Sequence, residues 1–334
     1  MKLAIIGPAF FGYLEELADS FTRSGINAAF YDERPSNSVS SKVVFRLASQ
    51  SMKARIAKQH LENLCEQVIR AGSTHVLLVS VEIVDSIAVQ RFREANLKVS
   101  RYGWDSVRNK PLMHSLDPLM DHIASFDGQD CETYGYSYIP LYSSLTADPT
   151  FEQVKETDFF YCTTLHSNRP LWVTRFLEVI NAKGWQANFL LFYHNRLLWW
   201  VQYIKTPSVW GLLKSISTIS FSRDEIALAT QAAKVVLDIH HGAQTGLTMR
   251  TYEALSLGVV LLTTNKAAFQ YLPEDLHDRL VFLDAENLTK SMQTALERTP
   301  APLTPAQSHS LSRDRFIAQL TALINGDPVP SAHQ

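Results

Sequence analysis

The chain is predicted to fold as two α/β units, each a doubly wound parallel sheet of the Rossmann-like kind. Three observations carry this. Its 334 residues exceed the size at which one hydrophobic core usually keeps growing. Short β-branched runs alternate with helical patterns at the spacing of strand–helix–strand crossovers. The alternation then breaks in a Ser-, Thr- and Asp-rich stretch at residues 143–157, with Pro149 inside it, and begins again. The boundaries follow: a first unit at 1–150, a second at 151–310, a terminal helix at 311–326 that can cross back, and a tail at 327–334 expected to be disordered.

In the first unit Leu3–Ile6 reads as a strand and Tyr13–Arg23 as a helix with Leu14, Leu17, Ala18 and Phe21 on one face. Gly25 ends that helix, and Ala28–Tyr31 is the second strand. Ser51 is expected to cap a long helix running to Arg70. The near-continuous apolar run His75–Val81 is the signature of a central parallel strand. A helix at Ile87–Ala95 and a strand at Lys98–Tyr102 follow. In the second unit the expected strands are Asp158–Cys162, Asn188–Phe192, Val235–Ile239, Val259–Thr263 and Arg279–Leu283. The helices are Leu171–Ala182, Met249–Leu257 and Leu288–Glu297; Pro300, Pro302 and Pro305 interrupt before a last helix at Ser312–Ile324.

Bulk composition excludes several classes. A formal net charge of −2 gives no global pull toward nucleic acid. Cys65, Cys131 and Cys162 are far apart and lack metal or disulfide spacing, which fits a reducing compartment. The start of the chain is too briefly apolar for a secretory signal, and a cytoplasmic protein is expected.

The most informative stretch is 235–265. A buried strand ends at Ile239, a polar loop with Gly246 follows, and a helix starts near Thr248. Ligands of open α/β sheets sit at the carboxyl ends of strands, where helix N-termini favour a diphosphate. Gly246 would let backbone approach the ligand, and Thr245 and Thr248 offer hydroxyls. Arg250 can pair with phosphate oxygens, and Glu253, a turn deeper, can accept from ribose hydroxyls. The alternative is that Thr248 only caps the helix and Glu253 is solvated.

This stretch resembles the donor-binding region of bacterial GT-B glycosyltransferases, especially the CgeB-like and lipopolysaccharide or capsule biosynthesis group. The residues that carry the resemblance are Leu237-Asp238-Ile239, Gln244-Thr245-Gly246-Leu247-Thr248, Arg250, Glu253, Leu255 and Thr263-Thr264-Asn265. Tyr102 through Ser106, Ser125-Phe126-Asp127, Ile139 through Tyr142 and Phe160 through Arg169 are similar to further landmarks of that group. The resemblance implies two Rossmann-like domains facing a cleft, with the acceptor on the first and the donor on the second. It also implies a nucleotide-sugar co-substrate of UDP, GDP or CMP type and a glycan or glycolipid acceptor. Thr245 stands where better-known retaining members carry the first of two glutamates, and Val259-Val260 replaces polar residues. The sequence holds no D-x-D motif, so no essential divalent ion is expected; beyond the nucleotide-sugar co-substrate no cofactor is expected.

Other candidates surround that core. Thr163, His166 and Arg169 occupy the first loop of the second unit, where such enzymes place phosphate-binding groups. Asp105, beside Trp104, can act as general base toward an acceptor hydroxyl; the plainer reading is an Asx-turn, and Asp127 is a rival. Gly7, Phe10 and Phe11 lie in a loose G-x-A-x-x-G outline ending at Gly12, with Asp32 downstream. That outline opens a rival reading, an NAD(P)-dependent oxidoreductase; within the resemblance the same loop holds the acceptor. A third reading is a non-catalytic sugar-nucleotide-binding subunit. His240-His241 lacks metal-ligand spacing and is compatible with a hydrogen-bonding role. Asn195–Lys214, rich in Leu and Trp with Arg196, Lys205 and Lys214, is either a packed helix with one exposed edge or a peripheral contact with the inner membrane.

Overall fold

In a computed structural model, residues 1–9, 12–35, 50–145, 155–240 and 245–330 are described. The first half runs β1 (Lys2–Gly7), α1 (Tyr13–Arg23), β2 (Asn27–Asp32), α2 (Gln50–Arg70), β3 (His75–Val79), α3 (Ser86–Glu94) and β4 (Lys98–Gly103). It continues with α4 (Pro111–His114), β5 (His122–Ser125), α5 (Gly128–Tyr134) and β6 (Ser137–Tyr138). Its strands form one parallel sheet in the order β2-β1-β3-β4-β5-β6.

The second half runs β7 (Thr157–Thr164), α6 (Arg169–Lys183), β8 (Ala187–Phe192), α7 (Arg196–Tyr203), a 3-10 segment at Pro207–Ser215 and β9 (Ile216–Ser217). Then come α8 (Arg223–Gln231), β10 (Ala233–Asp238), α9 (Met249–Ser256), β11 (Val260–Thr263), α10 (Ala268–Tyr271) and β12 (Leu280–Phe282). Three helices follow: α11 (Leu288–Leu296), α12 (Pro305–Ser310) and α13 (Arg313–Asn325). The second sheet is also parallel, ordered β12-β11-β10-β7-β8-β9. Two parallel six-stranded sheets of this kind are the two Rossmann-like domains of the GT-B type. Strand order reverses between β1 and β3 in one sheet and between β7 and β10 in the other. Crevices open at such switch points, beyond the carboxyl ends of the strands.

Local chemistry explains the elements. β1 and β3 are almost wholly buried, as central strands covered on both faces must be. Gly7 is required by packing, since a Cβ there would lie 2.5 Å from Val79 O and 2.6 Å from Leu14 Cδ1. Several expectations shift. α2 already includes Gln50, so Ser51 lies inside the helix and does not cap it. β3 stops at Val79 because Ser80 takes a left-handed φ of 46°. Pro305 starts a helix instead of interrupting one: it occupies the first turn of α12, where a missing N–H costs nothing, beneath a capping box of Thr304 and Gln307.

The core runs without a break through both sheets, joining Leu3, Ile5 and Tyr102 to Phe160, Val236 and Tyr252. The last helix α13 packs on the first sheet, against β4 and β5. Its Phe316 ring lies 4.6 Å from that of Tyr142 and 5.3 Å from that of Tyr102. Arg315, only 4% exposed, donates through Nη1 to Pro140 O (3.0 Å) and Gln319 Oε1 (2.8 Å), and through Nη2 to Leu141 O. Burial pushes its pKa down. The expected disordered tail is ordered in its first part. Asp327 N donates to Ala322 O (2.9 Å), Gln319 Nε2 donates to Pro330 O (2.8 Å), and Val329 packs on the core. The other tail residues, 331–334, and most of the expected linker lie outside the described residues.

Phe316→Ala should therefore cost roughly 3–5 kcal/mol, the range for emptying a buried aromatic site. Chemical denaturation followed by tryptophan fluorescence reads this out, with Trp104 6.4 Å from the Phe316 ring as reporter. A loss below about 1 kcal/mol would mean that α13 is not integral to the first sheet's core.

Candidate functional site

Two faces of the interdomain boundary differ in character. On one, the domains are locked by the carboxylate of Asp127, which is 2% exposed. Asp127 caps α5, accepting from Gln129 N (3.0 Å) and Asp130 N (3.4 Å). It then reaches across to the loop after β10, accepting from Thr245 N (2.8 Å), Gly246 N (3.0 Å) and the Thr245 hydroxyl. Asn265 holds the same loop from below, its Nδ2 donating to Thr245 O at 3.1 Å. Gly246 must be glycine, since a Cβ would lie 2.4 Å from the Phe126 ring.

On the other face the domains part around a cavity of about 650 Å3. The first domain lines it with Pro8, Tyr13, Trp104 and Asp105, and the second with His166, Arg169 and Met249. His166 Nε2 lies 3.2 Å from Arg169 Nη1 and its Nδ1 lies 3.1 Å from the Ser167 hydroxyl. Burial raises the pKa of Asp105, and Glu82 adds to this, while Lys110 and a hydrogen bond with Asn109 offset part of it. Lys110 and Arg34, also in the wall, both pair with Glu82. At the rim Arg223 of α8 stacks 4.1 Å from the Tyr13 ring centroid and pairs with Glu16 of α1.

Beside Met249, α9 begins with unmet polar groups. Thr248 is the N-cap residue, yet its hydroxyl makes no capping bond. That hydroxyl and Arg250 Nη1 are both buried, and among the described residues neither has a hydrogen-bond partner. Leaving such a group unsatisfied costs about 1–3 kcal/mol, a cost that a ligand acceptor would relieve. Burial opposes the Arg250 charge, but Glu253, Cys162 and Asp238 outweigh it and raise its pKa. Glu253 Oε2 is 3.9 Å from Arg250 Nε. Its own pKa is raised by burial, with Arg250 and Arg223 pulling the other way. Asp238, buried at the end of β10, accepts from the Thr263 hydroxyl at 3.0 Å.

The structure thus gathers Asp105, Trp104, His166 and Arg169 around one cavity, with Thr248, Arg250 and Glu253 at its flank. Other expectations are corrected. The amides of Thr245 and Gly246 are already taken by Asp127, and Gly246 approaches Phe126, not a pyrophosphate. Leu247 is 1% exposed and serves the core. The Thr163 hydroxyl turns to Thr164 O (3.3 Å) and Tyr161. Asp127 is a structural clamp, not a base. His240 is held at Thr264, its N and Nδ1 3.1 and 2.8 Å from that hydroxyl. Gly7 meets Val79 and Leu14 instead of a ligand, and Asp32 Oδ1 accepts from Ala9 N (3.1 Å) and Arg34 N (3.0 Å). At the described residues of this outline, the Asp32 carboxylate is thus engaged by backbone N–H groups on both sides of it, and Gly7 is packed against protein. Phe10, Phe11, His241 and Gln244 lie outside the described residues.

Sequence reading missed Tyr13, Arg223, Lys110 and Cys162. Tyr13 alone had a readable signal: it opens the helix directly after β1, at the sheet's switch point.

A family model described as glycosyl transferase-like matches residues 199–320, just over a third of the chain. No curated protein matches the sequence. Among solved structures, the lipopolysaccharide outer core galactosyltransferase WaaB in its apo form aligns with TM-score 0.60 at 13% identity, covering 98% of this chain and 99% of that one. A glycosyltransferase from Rickettsia africae ESF-5 aligns with TM-score 0.59 at 10% identity, covering 97% and 98%. The UDP-GlcNAc 2-epimerase of Methanocaldococcus jannaschii, solved with UDP-GlcNAc and UDP, gives TM-score 0.57 at 12% identity, covering 98% and 100%. These likenesses establish the two-domain fold from end to end.

Removing the Asp127 carboxylate strands four backbone N–H groups. Asp127→Ala should cost roughly 2–4 kcal/mol, the sum of a lost helix cap and unsatisfied buried donors. Asp127→Asn, which keeps one acceptor oxygen, should fall between. Equal denaturation midpoints for wild type and Asp127→Ala would show that the clamp does not bear on stability.

Proposed function

We propose that the protein is a metal-independent glycosyltransferase that moves a sugar from a nucleotide-sugar donor to a hydroxyl of a glycan or glycolipid. One observation carries the reading: Arg250 Nη1 and the Thr248 hydroxyl are buried and, among the described residues, without a hydrogen-bond partner at the start of α9, beside a cleft built by both domains. The glycosyl transferase-like match over residues 199–320 supports the same reading. The donor phosphates sit against Thr248, Arg250 and Arg169, where charge-assisted hydrogen bonds neutralise the leaving group in place of a metal ion. Glu253 accepts from the ribose hydroxyls.

The acceptor enters past Trp104. Asp105 takes the proton of its hydroxyl as the oxygen attacks the anomeric carbon, and the bond to the donor phosphate breaks with its electron pair staying on the phosphate oxygen. A direct displacement of this kind inverts the anomeric centre. The donor is of UDP, GDP or CMP type, and the product belongs to a bacterial surface polysaccharide made on the cytoplasmic side of the membrane.

Calorimetry against UDP, GDP and CMP tests the donor seat. Arg250→Ala should weaken the preferred nucleotide by about 10- to 100-fold, and an unchanged affinity would overturn the phosphate assignment. Sugar isomerisation without transfer would point instead to an epimerase on the same fold. Donor binding with neither transfer nor hydrolysis would point to a non-catalytic subunit.

Asp105 makes a pH prediction. Its pKa is raised and the base form is the active one, so the rate should be lost as pH falls through that raised value. The acid limb should lie above the ordinary aspartate pKa of about 3.9. Asp105→Asn should remove the limb and lower transfer by roughly 10²- to 10⁴-fold with donor affinity intact. A limb that survives in Asp105→Asn would assign the base elsewhere.

A further inference from the structure

Helix α7 is apolar on the wrong side. Trp199 and Tyr203 point inward, 0% and 9% exposed, and satisfy the need for a buried stripe. The opposite face carries Leu197, Leu198, Trp200, Val201 and Ile204, exposed by 68%, 52%, 37%, 55% and 41%. At 100° per residue these side chains sweep a single arc facing solvent. The surface continues through Trp210, 43% exposed, whose indole Nε1 is tied to Tyr203 O at 3.0 Å. A soluble helix ordinarily presents charge here, and contiguous exposed apolar surface of this kind marks an interaction site.

The surrounding charge indicates the partner. From Val179 to Ser222 the chain contains no aspartate or glutamate, but holds Lys183, Arg196, Lys205 and Lys214. The whole chain carries a formal net charge of −2, so this segment stands apart from the rest. Lys205 and Lys214 are exposed beside the apolar arc. Apolar side chains with interfacial tryptophans, flanked only by cations, match the two layers of an anionic bilayer surface, acyl boundary and headgroup.

We infer that the outer face of α7 and the Pro207–Ser215 segment docks on an anionic lipid bilayer. The docked face is fastened to the cleft: the Tyr203 hydroxyl donates to Ser167 O at 3.1 Å, in the loop whose His166 and Arg169 line the cavity. The bilayer then lies beside the cavity mouth on the second domain.

Sedimentation of the full-length protein with phosphatidylcholine vesicles, with and without phosphatidylglycerol, tests this without reference to catalysis. Binding is expected only with the anionic lipid, weakening as salt is raised. Leu197→Gln/Val201→Gln should reduce partitioning by roughly tenfold or more. Lys205→Gln/Lys214→Gln should reduce it by roughly thirtyfold at low salt. Both variants alter exposed residues and should keep the wild-type melting temperature. Absence of binding to anionic vesicles, or binding that neither variant changes, would overturn the inference. So would a dimer in vesicle-free solution that Leu197→Gln/Val201→Gln converts to monomer, because the face would then seat a second copy of the chain.

Discussion

The carboxylate of Asp127 sits where the two sheets meet and answers N–H groups from both. Each bond taken alone is worth about 1 kcal/mol, but the arrangement has a larger effect through what it forbids. With the amides of Thr245 and Gly246 bound to it, the chain entering α9 is fixed at those two residues, directly before Thr248. Phe126, the neighbouring residue, fills the space left by the missing Gly246 side chain. The buried hydroxyl of Thr248 and the buried Nη1 of Arg250 follow within four residues. The unsatisfied donor groups of the site are thus held in place by satisfied ones a few residues away.

The rest of the boundary is graded in strength. Tyr252 of the second domain hydrogen-bonds to Tyr138 of the first deep in the core, where burial pushes the Tyr252 hydroxyl up to about 12. At the far rim, Arg223 and Glu16 form a pair whose side chains are 38% and 40% exposed. Such a pair contributes at most about 1 kcal/mol and is screened by salt. The cleft is therefore closed by packing at one edge and only lightly tied at the other.

Much of the architecture was legible in the sequence because the long buried strands and amphipathic helices write their periods plainly; Tyr13–Arg23 is such a case. Of the short strands, β11 and β12 show as apolar runs, but three others do not. β5, β6 and β9 are too short for any period to emerge, and they are set by pairing with neighbours already in place. The run from Gln244 to Glu253 stood out in the sequence, but the partners its residues take did not. Nothing in the run from Gln244 to Glu253 reveals that Thr245 and Gly246 spend their donors on a carboxylate more than a hundred residues earlier, while the Thr248 hydroxyl and Arg250 Nη1 find no partner among the described residues. The same limit applies to Asp32, whose spacing from Gly12 fits a dinucleotide fingerprint although its carboxylate accepts from the N–H groups of Ala9 and Arg34.

The return of α13 to the first sheet bears on the order in which the molecule is made. Arg315 supplies the donors for the carbonyls of Pro140 and Leu141, and Phe316 completes an aromatic cluster with Tyr102 and Tyr142. Those partners leave the ribosome long before the helix that covers them. Nascent chains commonly finish their N-terminal domain first; here that domain waits with an open apolar face until α13 has emerged. During synthesis the exposed Tyr102–Tyr142 face is the surface a chaperone would have to shield.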